Sequence, residues 1–261
     1  MGSRRMIHSA RGLPMRASAI EFRLRMAINA AIILLGFWAP WIEWWGIGRR
    51  ITLTEWLALE LSRSGKMSFA LATAGVIIVA ALLALTSVLF RVWGTAYLGP
   101  ATVSNMHMVV GKVMADGPYR FVRNPLYIGV WSMVATLAFL MPVTGAVFAV
   151  VLVTIFLTRL TLGEESFLGA RLNEPYLAYM RAVPRFIPRF RGAPAPAGER
   201  PHWLRAFLAE LTPIGVLVAT VAYSRDYDLR LAGRIILIFF GASLIARAFM
   251  PGVLVNSAPA K

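Results

Sequence analysis

One stretch of polar residues stands at the entrance to a long apolar segment and could bind an anion. Residues 117–129 read Gly-Pro-Tyr-Arg-Phe-Val-Arg-Asn-Pro-Leu-Tyr-Ile-Gly. Asn124 followed by Pro125 predicts a helix start, because asparagine is a favoured N-cap and proline a favoured first helical residue. The free amides of that first turn, with Arg120 and Arg123 just before them, predict an anion site at a membrane edge.

The apolar sequence between this stretch and Glu164-Glu165 predicts a helical hairpin. Residues 126–141 and 146–162 are largely apolar, and the turn between them carries no charge. The two arms of a hairpin bring its entry and exit together, so we expect the arginines and the carboxylates at one membrane edge. Neighbouring residues of a helix point about 100° apart, so we expect one glutamate to contact a ligand and the other to pair with an arginine. The candidates for that pairing are Arg171 and Arg120.

The composition indicates an integral membrane protein. The chain has 261 residues, of which 58% are hydrophobic and 15% charged, and its mean hydropathy is +0.66. A soluble domain of this size would carry more charge. The sequence contains no cysteine, which excludes disulfides and cysteine-ligated metals, and its three histidines lie far apart without metal-ligand spacing. We therefore predict no metal site.

The hydrophobic pattern predicts an all-α polytopic membrane protein with about six apolar helices, including the central hairpin. The apolar segments cover residues 26–45, 67–90, 126–141, 146–162, 203–223 and 231–250. The predicted organisation in chain order is a basic leader (1–25), two membrane helices (26–90), a core with the hairpin and the ligand site (91–191), a flexible linker rich in proline and alanine (192–202), and two C-terminal membrane helices with a tail (203–261).

The basic residues favour one orientation in the membrane. Twenty of the 27 lysines and arginines fall in alternate connecting segments, on the same side as the N-terminus. Because such residues are enriched in cytoplasmic loops, we predict that both termini and the candidate site face the cytoplasm. Loops that face anionic lipid headgroups then account for the formal net charge of +15. Nucleic-acid binding is not predicted, since no basic module interleaved with aromatic residues is present.

A membrane edge that combines arginines, carboxylates and tyrosines suits S-adenosylmethionine. The carboxylate of this molecule could lie on the helix start and an arginine, and its ribose diol could donate hydrogen bonds to a glutamate. A tyrosine ring could pack on the adenine or contact the sulfonium. A carboxylate as methyl acceptor would need no general base, whereas an amine or hydroxyl acceptor would need one. The candidates for that base are Glu164, Glu165 and His107.

The combined motifs resemble the isoprenylcysteine carboxyl methyltransferase and phospholipid methyltransferase families. The resemblance covers roughly residues 91–189 and rests on Gly117-Pro118-Tyr119-Arg120, Arg123-Asn124-Pro125-Leu126-Tyr127-Ile128-Gly129, Glu164-Glu165, Pro175-Tyr176, Tyr179, and Val183-Pro184-Arg185-Phe186-Ile187-Pro188. It implies an integral membrane enzyme that binds S-adenosylmethionine at the cytosolic membrane edge. It also implies a lipophilic or prenylated substrate that enters from the bilayer.

The same resemblance implies roles for individual residues. As catalytic residues we predict Arg120, Arg185 and Glu165. As cofactor-binding residues we predict His107, Gly117, Tyr119, Arg123, Asn124, Pro125, Tyr127, Gly129, Glu164 and Glu165. The carboxyl methyltransferases more often have histidine where this chain has Asn124, which can cap a helix and bind a ligand but does not titrate near neutral pH.

Other functions stay open at this point. A membrane reductase for lipids or sterols with a nicotinamide cofactor, a phospholipid N-methyltransferase, and a scaffold or small transporter are the alternatives. The substrate half and the oligomeric state are not predicted. Glu43 and Glu210 lie in apolar segments, where a carboxylate is either functional or paired with a basic residue, such as Arg205 for Glu210. Pro213 predicts a kink in the fifth segment.

Overall fold

The regular secondary structure of the described residues is helical, which confirms the predicted all-α class for them. The computed structural model describes residues 16–38, 51–65, 67–99 and 115–249. The α-helices within these ranges are α1 (Ala19–Arg23), α2 (Arg25–Phe37), α3 (Leu53–Arg63), α4 (Phe69–Leu98), α5 (Pro125–Ala138), α6 (Val143–Leu172), α7 (Glu174–Ala182), α8 (Trp203–Ala209), α9 (Leu211–Asp226) and α10 (Leu229–Phe249). A 3₁₀ turn, Gly117–Arg120, precedes α5. Glu43 and His107 lie outside the described residues.

Within the described residues, three helices are long and apolar enough to cross a membrane, and six full spans are not confirmed. These are α4, α6 and α10, and α8 with α9 makes a fourth if the pair, bent by 64°, is one broken span. The other two apolar segments form shorter helices, α2 with 13 residues and α5 with 14. At 1.5 Å per residue each of these reaches about 20 Å, which is less than the ~30 Å hydrocarbon core.

The central hairpin is present as predicted. α5 and α6 run antiparallel, and the indole Nε1 of Trp131 donates a 2.9 Å hydrogen bond across them to Thr154 Oγ1. The turn between the two helices is held by the start of α3, because the amides of Leu53 and Thr54 donate to the carbonyls of Met141 and Phe139. This end of the helix bundle is therefore closed by backbone hydrogen bonds.

The opposite end of the bundle gathers the basic segments. The amide of Ala17 donates to the carbonyl of Arg159, and the amide of His202 donates to the carbonyl of Ala96. The start of α2, the end of α4, the start of α5 and the last turns of α6 therefore lie at one end, which we call the site end. The last turn of α10 reaches it as well, since Arg247 donates to the Ala209 carbonyl. That this end faces the cytoplasm stays a prediction.

The apolar core lies between α2, α5 and α6. Val134, Leu137, Val153, Leu157 and Leu160 are buried together there. Dispersion and the exclusion of lipid from close helix contacts stabilise this packing, because a membrane offers little hydrophobic driving force between helices. The core fixes the hairpin, and the hairpin fixes the residues at its two ends.

Gly145 should be among the positions of the fold that are most sensitive to added volume. A Cβ atom there would lie 1.9 Å from the carbonyl oxygen of Gly36, which is backbone and cannot give way cheaply. We expect Gly145→Ala to lower the free energy of unfolding by about 1–3 kcal/mol, measured by unfolding in detergent. Gly75→Ala is the control, since nothing lies within 4 Å of its added methyl group. Equal stability of the two variants would contradict the close contact of α2 with α6.

Candidate functional site

Glu165 is a buried carboxylate that binds two arginines. It lies near the end of α6 and is 4% exposed. The guanidinium of Arg185 approaches it side-on, with Nη2 at 2.7 Å and Nε at 3.1 Å from Oε2. Nη1 of Arg123 lies 3.4 Å from Oε1 in a looser ion pair. Hydrogen bonding to Glu165 raises the pKa of the Arg185 guanidinium above its ordinary value, so this arginine stays charged in the contact.

Backbone hydrogen bonds bring Arg185 to this carboxylate. The chain after α7 runs beside the entry to α5, where the amide of Arg123 donates to the carbonyl of Pro184 at 2.9 Å. The amide of Arg189 donates to the carbonyl of Phe121 at 3.0 Å. These two bonds hold residues 183–189 against residues 121–124, with Arg185 between them. The proline-rich sequence suits this role because it favours an extended chain.

Asn124 and Pro125 start a helix, as the sequence predicts, but the asparagine side chain does not cap it. Asn124 is the N-cap residue of α5 and makes no side-chain hydrogen bond to the first turn. Its Nδ2 instead donates to the carbonyl of Arg185 at 3.2 Å and lies 3.5 Å from Oε1 of Glu165. The amides of the first turn are thus left without a side-chain cap, which suits an anion.

Glu164 faces a different neighbour from Glu165, as the helix geometry predicts. The hydroxyl of Tyr127, on the first turn of α5, donates to Oε2 of Glu164 at 3.0 Å. Glu164 is half-buried, whereas Glu165 is buried. The expectation that Arg171 or Arg120 pairs with the second glutamate was wrong. The partners are Arg185 and Arg123, which reach it by folding of the chain on both sides of the hairpin.

The structure places Arg120 apart from the Glu165 cluster. Its Nε donates to the carbonyl of Pro194 at 2.8 Å, and its guanidinium carbon lies 5.6 Å from the centre of the Phe121 ring. The linker after Pro194 is hydrogen-bonded as well. The buried carboxylate of Asp116 accepts from the amides of Ala197, Gly198 and Glu199. The composition of the linker predicts flexibility, but these hydrogen bonds hold part of it to Asp116 and Arg120.

Two glycines of the motif have packing roles. Gly117 has a φ of +52°, and the ring of Tyr97 would lie 2.4 Å from an added Cβ. Gly129 lies under the side chain of Arg91, whose Cγ would be 2.5 Å from an added Cβ. Both glycines therefore allow the chain around the start of α5 to lie close against α4. Gly117 also adopts a backbone conformation that L side chains disfavour.

Tyrosines complete the wall of the site. Tyr179 donates its hydroxyl to the carbonyl of Tyr119 at 2.8 Å and packs on Tyr176, with ring centres 5.9 Å apart. Burial raises the pKa of all three hydroxyls above the ordinary value of tyrosine, so they stay neutral. Tyr119 is 7% exposed, and its hydroxyl has no hydrogen-bond partner among the described residues.

A second buried carboxylate, Glu210, lies at the bend between α8 and α9. It is 0% exposed. Arg91 binds both of its oxygens at 2.8 Å, Thr95 donates to Oε1 at 2.8 Å, and Nη2 of Arg247 lies 3.7 Å away. The structure thus supports the paired alternative for Glu210, with Arg91 as the partner in place of Arg205. The break in the fifth segment falls at this residue, three positions before Pro213.

Two residues near the site were not predicted from the sequence. The charge of Arg25, at the start of α2, acts on Glu164. Tyr176 lies close enough to Glu165 and Arg185 for their charges to act on it. An arginine at the start of an apolar helix is typical of any membrane edge, so the sequence carried no signal for Arg25. Tyr176 belongs to the Pro175-Tyr176 motif, and this motif is the sequence feature that could have identified it as a site residue.

The structure therefore brings most of the predicted residues together. Those in or beside the cluster are Tyr119, Arg123, Asn124, Pro125, Tyr127, Glu164, Glu165 and Arg185.

One comparison with known proteins finds a similarity over part of the chain. The model of the phospholipid methyltransferase family matches residues 75–173, a range that contains the helix start, the hairpin and both glutamates. This confirms the resemblance that the motifs predicted. No curated protein and no solved structure matches the chain significantly. Arg185 and Glu210 lie outside the matched range, so two charged partners of the buried clusters come from the C-terminal part of the chain.

Proposed function

From the match of residues 75–173 to the phospholipid methyltransferase family, we propose that this protein is an S-adenosylmethionine-dependent methyltransferase. Its substrate would be a lipophilic molecule that enters from the bilayer. The observation that carries the proposal is the cluster of Arg123, Asn124, Glu165 and Arg185 beside the Tyr127–Glu164 pair. It joins cations, carboxylates and an uncapped helix start at one membrane edge.

The residues of the cluster fit this cofactor. Nε and Nη1 of Arg123 are buried and have no hydrogen-bond partner among the described residues, and a buried guanidinium with unused donors is costly without an acceptor. The cofactor's carboxylate would supply that acceptor, together with the uncapped amides of α5. Glu164 would accept from the ribose hydroxyls, with Tyr127 holding its carboxylate in place. When bound, S-adenosylmethionine supplies an electrophilic methyl group on a sulfonium.

The protein's own contribution is positioning and the exclusion of water. Glu165 and Arg123 are shielded from solvent, whereas the Arg185 side chain is 38% exposed. The apolar core of the hairpin lies beneath them. Charges in such an environment act more strongly than in water. Holding the methyl donor at a fixed membrane edge also aligns it with an acceptor that diffuses in the bilayer. An amine acceptor would need a base as well.

Two classes of acceptor fit the proposal. A phospholipid amine is favoured by the family match, whereas an isoprenylcysteine carboxylate is suggested by the motif resemblance alone. We therefore propose a lipophilic methyl acceptor, and a single experiment distinguishes the amine from the carboxylate. We also propose that the site faces the cytoplasm, which rests on the distribution of lysine and arginine.

The direct test is transfer of a radiolabelled methyl group to total membrane lipid extract and to a prenylcysteine analogue. We expect label in one of the two, together with saturable binding of S-adenosylhomocysteine to the purified protein. NADPH serves as the control ligand, and thermal stabilisation by NADPH without stabilisation by S-adenosylhomocysteine would indicate a reductase. Absence of both binding and transfer would overturn the proposal.

Tyr127→Phe should weaken cofactor binding without unfolding the protein. The change removes the hydroxyl that donates to Glu164. This bond positions the carboxylate without touching the ligand, so we expect its loss to lower the affinity by about five- to tenfold. Titration of the purified variant with S-adenosylhomocysteine measures this change. Tyr227→Phe is the matched control, because Tyr227 is exposed at the far end of the bundle. Unchanged affinity in Tyr127→Phe would remove Glu164 from the proposed ribose contact.

A further inference from the structure

Residues 187–208 present a row of exposed apolar side chains next to the site. Ile187 is 81% exposed and Phe190 is 71% exposed. Further along, α8 turns Ala206 and Ala209 inward and its larger side chains outward. The exposed apolar residues of this stretch are Ile187, Phe190, Trp203, Leu204, Phe207 and Leu208.

The same stretch is basic. Arg189, Arg191, Arg200 and Arg205 are exposed within it, against a single acidic residue, Glu199. Apolar side chains interleaved with arginines are the composition of segments that lie in the plane of an anionic membrane surface. Tryptophan is also enriched at that level of the bilayer. The charge of the stretch therefore selects anionic headgroups as its partner.

The position of the stretch matches the membrane surface. The length of α6 from its first residue, Val143, to Glu165 is about 33 Å at 1.5 Å per residue. This length is close to the ~30 Å thickness of the hydrocarbon core. Residues 183–189 lie against the helix start that faces Glu165. α8 then meets α9 at a bend of 64°, so α8 departs strongly from the direction of that helix.

We propose that residues 187–208 bind anionic lipid headgroups and that this contact holds Arg185 on Glu165. The coupling is short, since Ile187 lies two residues beyond Arg185. The amide of Arg189 is bonded to Phe121 on the other side of the site. Binding of Ile187 and Phe190 to the lipid surface would therefore hold residues 183–189 in place against residues 121–124. The link to cofactor affinity rests on the proposed function, whereas lipid contact itself does not.

The first test reads lipid contact without any cofactor. The chain has no cysteine, so Ile187→Cys can be labelled selectively with an environment-sensitive fluorophore in the full protein. In nanodiscs we expect stronger quenching by spin-labelled lipid when phosphatidylglycerol is present than in phosphatidylcholine alone. Tyr227→Cys, exposed at the far end, is the control and should not respond. Equal quenching at Ile187→Cys in both lipids would overturn the proposal.

The second test removes charge. Arg191→Gln, Arg200→Gln and Arg205→Gln together should abolish the response to phosphatidylglycerol, because each arginine near an anionic surface contributes to its attraction. The matched control replaces three exposed arginines of the far end: Arg225→Gln, Arg230→Gln and Arg234→Gln. Loss of the response in both triple variants would show a nonspecific charge effect and would contradict the assignment.

The third test measures binding of S-adenosylhomocysteine in the same two kinds of nanodisc. We expect about three- to tenfold tighter binding with phosphatidylglycerol, and no difference in the variant with three arginines replaced near the site. Lipid-dependent quenching with equal affinity in both lipids would overturn the coupling to Arg185. Lipid-dependent quenching with no binding in either lipid would overturn the methyltransferase proposal and leave lipid contact supported.

Discussion

Glu165→Gln is expected to lower the affinity for S-adenosylmethionine by about a hundredfold, or about 3 kcal/mol, because unpaired arginine charges a few ångströms away repel a cationic ligand. The substitution leaves Arg185 and Arg123 without the carboxylate that both contact. Their uncompensated charge then acts on a ligand with a net positive charge. Titration of purified protein in detergent or nanodiscs measures the effect.

The charge of the ligand makes this prediction more specific. S-adenosylhomocysteine lacks the sulfonium charge, so its affinity for Glu165→Gln is expected to fall by only about tenfold. Glu165→Asp keeps the charge and should lie between wild type and Glu165→Gln for both ligands. Glu174→Gln is the control, since its pair with Arg181 is exposed and should contribute little. Equal losses for the two ligands would assign Glu165 a structural role alone.

Glu210→Leu is expected to reduce the free energy of unfolding by about 3–5 kcal/mol, the cost of leaving buried charge unpaired. Arg91 and Arg247 are largely buried around Glu210, with side-chain exposures of 13% and 23%. Neither can reach full solvation without a shift of the helices, and Arg91 also packs on Gly129. Unfolding in detergent by heat or denaturant measures the change.

A double replacement separates charge from packing at this position. Arg91→Met with Glu210→Leu should recover part of the stability lost in Glu210→Leu, because an apolar pair can replace a buried ion pair at little cost. Glu60→Leu is the control, since Glu60 pairs with Arg63 on the exposed face of α3. A loss below about 1 kcal/mol in Glu210→Leu, as for a surface pair, would contradict the buried network.

The two carboxylates thus differ in what they are expected to affect. Glu210 has its oxygens bound by Arg91 and Thr95, and it joins α4 to the bend between α8 and α9. Glu165 contacts Arg123, whose buried donors are incompletely used. Replacing Glu210 should therefore change stability most, and replacing Glu165 should change ligand binding most.

Local signals predicted the hairpin end of the site. The Asn124-Pro125 pair marks the start of α5 because an N-cap followed by proline is a property of adjacent residues. The different environments of Glu164 and Glu165 follow from the rotation of a helix. The apolar runs predicted the helices but not their status as spans, since α2 ends at Phe37 and α5 is shorter than its apolar segment. The length of a helix depends on the residues at its ends, whereas an apolar run in the sequence can continue beyond the end of the helix.

The sequence by itself determined the all-helical membrane class, the helix start at Asn124, and the presence of two carboxylates at the exit of the hairpin. Only the tertiary structure decided which arginines those carboxylates meet. Arg185 reaches Glu165, and Arg91 reaches Glu210, through contacts between residues that are 20 and 119 positions apart. The separation of two residues along the chain does not predict such ion pairs. They form because a charge buried at the edge of a membrane protein is stable only beside an opposite charge, and helix packing determines which one is within reach.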